Sequence, residues 1–175
     1  MIIANQVIII KDLIMKKLFL AVILFFLFSQ LMGQTIPKWK MRVLADYIKT
    51  SKTPLIVSFW ATYCVPCIKE IPYFQELAKK YEEKGVRLLL VSLDFKESYP
   101  EKIKKFSAKM RFSAPIVWLD ETNADYFCPQ IDSKWSGAMP ATLLINNLTG
   151  YRTFFEEEIS KVKLEAEIKK MLSNQ

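Results

Sequence analysis

The chain has 175 residues, 51% of them apolar, with a formal net charge of +7 and no histidine. That length suits one domain with a full hydrophobic core and is short for two of ordinary size. The missing histidines exclude a Ser-His or Cys-His catalytic pair and most zinc and copper sites, and lysines interleaved with glutamates (Lys79, Lys80, Glu82, Glu83, Lys84) read as solvated helix faces, not as a nucleic-acid-binding block.

At the N-terminus, Met15-Lys16-Lys17 precedes an uncharged apolar run from Leu18 to Phe28, which gives way to Ser29, Gln30 and Gly33. This is the three-part layout of a secretory signal peptide, expected to be cut after Gly33. Eleven apolar residues are short of the ~20 that span a bilayer, although Leu31 and Met32 extend the run toward an uncleaved anchor. Residues 1–14 add nothing to this signal and read as an artefact of start assignment, residues 15–33 as signal peptide or anchor, and residues 34–175 as the folded domain. Removing residues 1–33 takes away Lys11, Lys16, Lys17 and Asp12, so the net charge of +7 becomes +5.

Gln34 to Trp39 reads as a connecting segment. Trp39, Val43, Leu44, Tyr47 and Ile48 then recur at helical spacing. Leu55 to Trp60 is a nearly continuous apolar run of β-formers, the pattern of a central strand buried on both faces. From Val65 to Lys84 the period is helical, with Ile68, Ile71, Phe74, Leu77, Ala78 and Tyr81 on one face, Pro66 in the first turn, Pro72 expected to kink the helix and Gly85 as its stop. Val86 to Leu93 is a second buried strand ending at Asp94, Pro100 to Met110 a helix, Ile116 to Leu119 a short strand and Thr122 to Phe127 a helical turn. Ala141 to Asn146 and Tyr151 to Phe155 form a hairpin around Asn147-Leu148-Thr149-Gly150, and a last helix runs from about Ile159 to Leu172. The alternation predicts an α/β fold with a mixed central sheet flanked by helices. Asn147-Leu148-Thr149 also has the form of a glycosylation acceptor, but hairpin turn chemistry accounts for Asn147.

The chemistry concentrates in Phe59-Trp60-Ala61-Thr62-Tyr63-Cys64-Val65-Pro66-Cys67, a buried strand followed at once by two cysteines at a helix start. Unpaired N–H groups and the helix dipole there favour a thiolate on Cys64, the nucleophile that attacks a disulfide, with Cys67 one turn inward as the resolving thiol. A static disulfide or half of a metal site are the alternatives. A four-ligand zinc site lacks its second pair, since only Cys128 remains. Cys128 itself is a buried inert side chain, a reactive surface thiol or a third redox partner.

The stretch from Leu55 to Leu77, together with Gly137-Ala138-Met139-Pro140-Ala141-Thr142, resembles the thioredoxin superfamily, and within it the TlpA/ResA-like exported thiol-disulfide oxidoreductases. The resemblance covers roughly residues 37–172 and rests on two separated motifs. It implies a thioredoxin-like fold with a TlpA-type strand-helix insertion before a cis-proline, Pro140, whose neighbour Met139 offers backbone groups to substrate. It implies substrate contacts at Trp60, Tyr63, Val65 and Pro66, and a role for Glu70, in Cys-x-x-Glu-x-Pro, in cysteine acidity and proton transfer; an exposed helix-surface glutamate is the alternative. Ser58 stands where cytoplasmic thioredoxins carry a buried aspartate, and Tyr63 where tryptophan is usual. Trp118 is expected to pack in the core and Asp120 to shape the rim. The expected protein is a monomeric disulfide reductase in the periplasm or on the outer face of the cytoplasmic membrane. No cofactor or metal is implied beyond the redox-active disulfide. Its partners are exported disulfide-bearing clients, such as apocytochromes c or copper-binding assembly proteins, and a membrane thiol electron donor. An oxidase or isomerase, or a non-catalytic binding module, are the rival functions on the same fold.

Overall fold

The computed structural model describes residues 15–20 and 35–173. Met15 to Leu20 is helical, while the Gly33 cleavage point and the rest of the expected signal lie outside the described residues. Among the described residues no helix is long and apolar enough to cross a membrane.

Among the described residues from 35 to 173 there are thirteen short elements. The strands are β1 (Lys38–Trp39), β2 (Leu55–Trp60), β3 (Arg87–Ser92), β4 (Ile116–Leu119), β5 (Ala141–Asn146) and β6 (Tyr151–Phe155), and the helices are α1 (Met41–Thr50), α2 (Val65–Lys80), α3 (Glu101–Lys109), α4 (Ala124–Ile131) and α5 (Lys161–Ser173). Single 3-10 turns occupy Glu82–Lys84 and Lys96–Ser98. The six strands form one mixed sheet in the order β1-β4-β3-β2-β5-β6, with β2 parallel to β3 and antiparallel to β5. All six residues of β2 are buried, as its unbroken apolar run requires.

Alternation along the strands divides the core in two. Ile56, Trp60, Leu88, Leu90 and Leu144 face α2, α3 and α5, where they meet Ile71, Phe74, Ile103, Leu164 and Ile168. Val57, Phe59, Leu89, Val91 and Leu143 face α1 and α4, where they meet Met41, Leu44, Phe127 and Ile131. Each such side chain contributes roughly 1.5–3 kcal/mol by leaving water. The α1 face differs from its sequence reading: Met41, Leu44 and Ile48 are the buried set, whereas Val43 and Tyr47 are 42% and 41% exposed. The reason is that Trp39 belongs to β1, which pairs in parallel with β4, so the helix begins two residues later and its stripe rotates. Residues 35–39 are thus a connection that ends in a two-residue strand. α4 extends four residues beyond the expected turn and includes Cys128 and Pro129. Asn147 turns the hairpin and also donates through Nδ2 to the carbonyls of Ile48, Lys49 and Ser51, satisfying groups that the end of α1 leaves open.

Because β2, β3 and β4 run in parallel, their C-terminal ends, and with them Ala61, Leu93 and Asp120, lie at one edge of the sheet. β5 runs the other way, and the pairing of Phe59 with Ala141 brings its first residue to that same edge. The segment before β5 therefore meets the segment after β2. A cleft of about 420 Å³ lined by Gln75, Arg87, Leu88 and Pro115 opens at the opposite edge.

Candidate active site

The strand-to-helix junction is tightly specified. Cys64 N–H donates to Ala61 O at 3.0 Å, closing a turn, and Cys64 then serves as the N-cap of α2 with extended backbone, its sulfur accepting from Cys67 N–H at 3.4 Å. The first turn of α2 carries no acidic residue, and Pro66 there costs no helical bond because the early N–H groups have no intrahelical partner. Cys64 and Cys67 form a disulfide with their Cα atoms 5.3 Å apart. Cys64 is 8% exposed and Cys67 is fully buried, so the outer sulfur is the one an incoming thiol or disulfide reaches first.

The Met139–Pro140 peptide bond is cis, as the resemblance implies. Pro140 is buried, and Met139 is half-buried against the core cluster that includes Cys64 and Cys67. The approach to this peptide is pinned by Glu156, whose Oε1 accepts from Ser136 N–H and Ala138 N–H at 3.0 Å each and from the Ser136 hydroxyl. These bonds hold the Glu156 carboxyl below its usual range, the Ser136 hydroxyl contributing most. Tyr63 and Val65, on either side of Cys64, are 51% and 60% exposed. Trp60 is the correction among the expected contact residues: it has no exposed surface and packs edge-on to Phe112 with ring centroids 5.3 Å apart. As the last residue of a strand covered on both faces, its side chain is committed to the core.

Glu70 is fully buried, which removes the surface-carboxylate alternative. Its Oε2 accepts from Ile159 N–H at 3.2 Å, while Oε1 has no partner. Burial pushes its carboxyl up to about 8, the Ile159 N–H opposes that shift and Glu158 adds to it, so the group is largely protonated near neutral pH. Nearby, Tyr73 donates its hydroxyl to Ile159 O at 2.5 Å and is pushed up to about 12 by burial and then by Glu70 and Glu158. Ser58 lies in β2 directly across from Thr142 in β5, and the hydroxyls of both are buried without a partner.

Cys128 is a free thiol, 2% exposed in α4, and burial with the charges of Glu156 and Asp125 pushes it up to about 11. That environment matches the inert reading. Trp118 is in the core and donates Nε1–H to Asp94 O at 2.7 Å, while Asp120 pairs with Lys40 and Lys38 at 3.1 and 3.6 Å.

Two site neighbours escaped the sequence reading. Phe95, 68% exposed just past β3, stacks on Tyr63 with ring centroids 5.5 Å apart and planes 15° from parallel. Asp94, read only as a strand end, binds the turn before Cys64 through Thr62. An exposed aromatic after a buried strand was a faint signal for the first; nothing in the local pattern pairs Asp94 with Thr62 across 32 positions.

Comparison with known proteins places this geometry. The chain is 36% identical to the thiol-disulfide oxidoreductase ResA of Oceanobacillus iheyensis over 35% of this chain and 36% of that one, and 32% identical to ResA of Halalkalibacterium halodurans over 53% and 47%. The alignments thus span about a third to a half of these relatives. Among solved structures, a thiol:disulfide interchange protein of Chlorobium tepidum superposes with a TM-score of 0.57 at 18% identity, covering 73% of this chain and 84% of the other. StoA from Bacillus subtilis superposes with a TM-score of 0.53 at 22% identity, covering 69% and 86%. Both share the fold. The AhpC/TSA family profile matches residues 33–148, and the chain accordingly belongs to the AhpC/TSA family of the thioredoxin superfamily.

Proposed function

We propose that this protein is an exported thiol-disulfide oxidoreductase that reduces disulfides in client proteins outside the cytoplasm. The observation that carries the reading is the Cys64–Cys67 disulfide at a helix N-terminus, with Cys64 slightly exposed and Cys67 fully buried. In the reduced protein the Cys64 thiolate attacks one sulfur of a client disulfide, forming a mixed disulfide and releasing the first client thiolate. Cys67 then attacks the Cys64 sulfur, expels the second client thiolate and restores the internal disulfide. Two electrons have passed to the client, and each client thiolate takes up a proton. A membrane thiol donor returns the electrons.

Glu70, one turn beyond Cys67 with its carboxyl raised to about 8, takes the Cys67 proton through its ionised fraction as that thiol is consumed, a fraction that grows as pH rises toward that value. Tyr63, Val65, Pro66 and Met139 provide the contact surface, to which Phe95 adds a second ring, and the cis Met139–Pro140 segment offers main-chain groups to an extended client. The region from Met15 to Gly33 supports export to the periplasm or the outer membrane face, and clients of the apocytochrome c or metalloprotein-assembly kind are what the resemblance to the TlpA/ResA-like group implies.

The deciding experiment is the equilibrium potential of the Cys64–Cys67 couple against glutathione or dithiothreitol buffers. A value near or below about −250 mV supports the reductase, and one above about −180 mV replaces it with an oxidase or isomerase. Cys67→Ser should trap clients as mixed disulfides on Cys64, visible as reductant-sensitive adducts. A couple that does not cycle, together with no adducts, overturns the reading in favour of a binding module.

A further inference from the structure

At the end of β3, Asp94 is 4% exposed, and its carboxylate is held entirely by neutral donors in its recorded contacts. Thr62 N–H lies 3.1 Å from each oxygen, the Thr62 hydroxyl donates at 2.5 Å and the Ser92 hydroxyl at 2.8 Å. The main chain around it is equally fixed. Asp94 N–H donates to Ser92 Oγ at 3.2 Å, Asp94 O accepts from Trp118 Nε1, and Leu93 N–H donates to Trp60 O at 2.8 Å. Asp94 is thus a rigid acceptor set beneath the turn that begins at Ala61 and ends on Cys64.

The same carboxylate is a negative charge close to the turn that carries Cys64. Thr62 precedes Cys64 by two residues, which places the Asp94 oxygens within about 10 Å of the Cys64 backbone. The charge is felt one residue nearer: the Tyr63 hydroxyl titrates above its usual range, first through burial and then through Asp94. Along α2 the titratable groups nearest Cys64 in the chain are Cys67 and Glu70, both buried, and the exposed Lys69, while the exposed Lys96 and Glu97 follow Asp94. At about 10 Å and an effective dielectric of about 20 to 40, a unit charge changes an ionisation constant about four- to sixteenfold.

We propose that Asp94 is the positioning residue of this site: it seats the turn that carries Cys64 and, by its charge, holds the Cys64 thiol less acidic than the α2 N-terminus alone would make it. Disfavouring the thiolate disfavours the dithiol form, so Asp94 keeps the couple reducing. This rests on the thiol-disulfide reading above and names what sets its poise.

Two substitutions separate charge from scaffolding. Asp94→Asn keeps an oxygen for Thr62 N–H and removes the charge; Thr62→Val keeps the charge and removes a hydroxyl that offsets it. In the full chain, the pH dependence of Cys64 alkylation reports its ionisation, and glutathione equilibrium reports the potential. Asp94→Asn should raise the Cys64 ionisation constant about fivefold and the potential by up to about 20 mV, the equivalent of that factor for a two-electron couple. Thr62→Val should lower the ionisation constant about twofold, and it decides the matter alone if Asp94→Asn does not fold. Shifts of the same sign in both variants, or no shift while the denaturation midpoint falls, overturn the proposal in favour of a purely structural carboxylate. Alkylation of the reduced protein reads the ionisation even if the couple fails to cycle, so loss of the parent reading and loss of this one are separate results.

Discussion

Replacing Glu70 by glutamine tests the buried carboxyl at its root. A carboxyl whose folded value is raised to about 8 from an ordinary 4.5 keeps its proton in the folded chain where the unfolded chain releases it. The sign follows: the folded state binds more protons, so stability is greatest below the unfolded value and declines as pH rises toward the folded one. Between about pH 5 and about pH 7.5 this linkage removes about 3 kcal/mol, and because Glu70 has no exposed surface, solvent screening does little to reduce it. Glu70→Gln keeps the size and an oxygen for Ile159 N–H but does not titrate. Urea unfolding of the oxidised protein and the variant at both pH values measures the difference. The variant should gain about 3 kcal/mol on the parent between the acidic and the alkaline measurement, as worked above. A difference between the two proteins that is the same at both pH values would refute the argument that the fold holds Glu70 protonated.

Phe95→Ala should raise KM for protein clients severalfold with little change in kcat, and leave stability within about 0.5 kcal/mol because the ring is mostly in solvent; steady-state reduction of a disulfide-bearing protein checks this, and an unchanged KM removes Phe95 from the contact surface. Glu156→Ala releases two N–H groups and a hydroxyl just before the cis Met139–Pro140 bond, and should cost about 1–2 kcal/mol while raising KM. Since the Glu156 carboxyl is held low, its contribution is present above the ordinary carboxyl range and fades as pH falls through its folded value, so the gap between parent and variant should narrow in acid. Unfolding curves that keep the full gap at low pH would show that the charge on Glu156 is not what holds the loop.

Much of the fold is legible from the residues because local patterns and tertiary burial agree. The run Leu55 to Trp60 could only be a strand covered on both faces, and the hairpin around Asn147 and Gly150 lies where turn chemistry puts it. The disagreements arise where long-range contacts decide. Trp39 has helical spacing to Val43, but hydrogen bonding alongside β4 draws it into a strand and turns the face of α1. Trp60 sits in the motif block like a contact residue, yet the aromatic ring of Phe112, 52 positions on, encloses it.

The active site divides in the same way. Sequence by itself placed the Cys64–Cys67 pair at one site, because two cysteines at the junction of a buried strand and a helix lie three positions apart in the chain and share one local geometry. The resemblance to the TlpA/ResA-like group also pointed to Pro140 and Glu70. Tertiary structure alone decided that Glu70 is buried with a raised pKa, that Phe95 stacks on Tyr63, that Glu156 pins the segment before Pro140 and that Asp94 braces the turn before Cys64. Each of these depends on residues far apart in the chain that strand pairing brings to one edge of the sheet, and a local pattern carries no information about which distant side chain will arrive there.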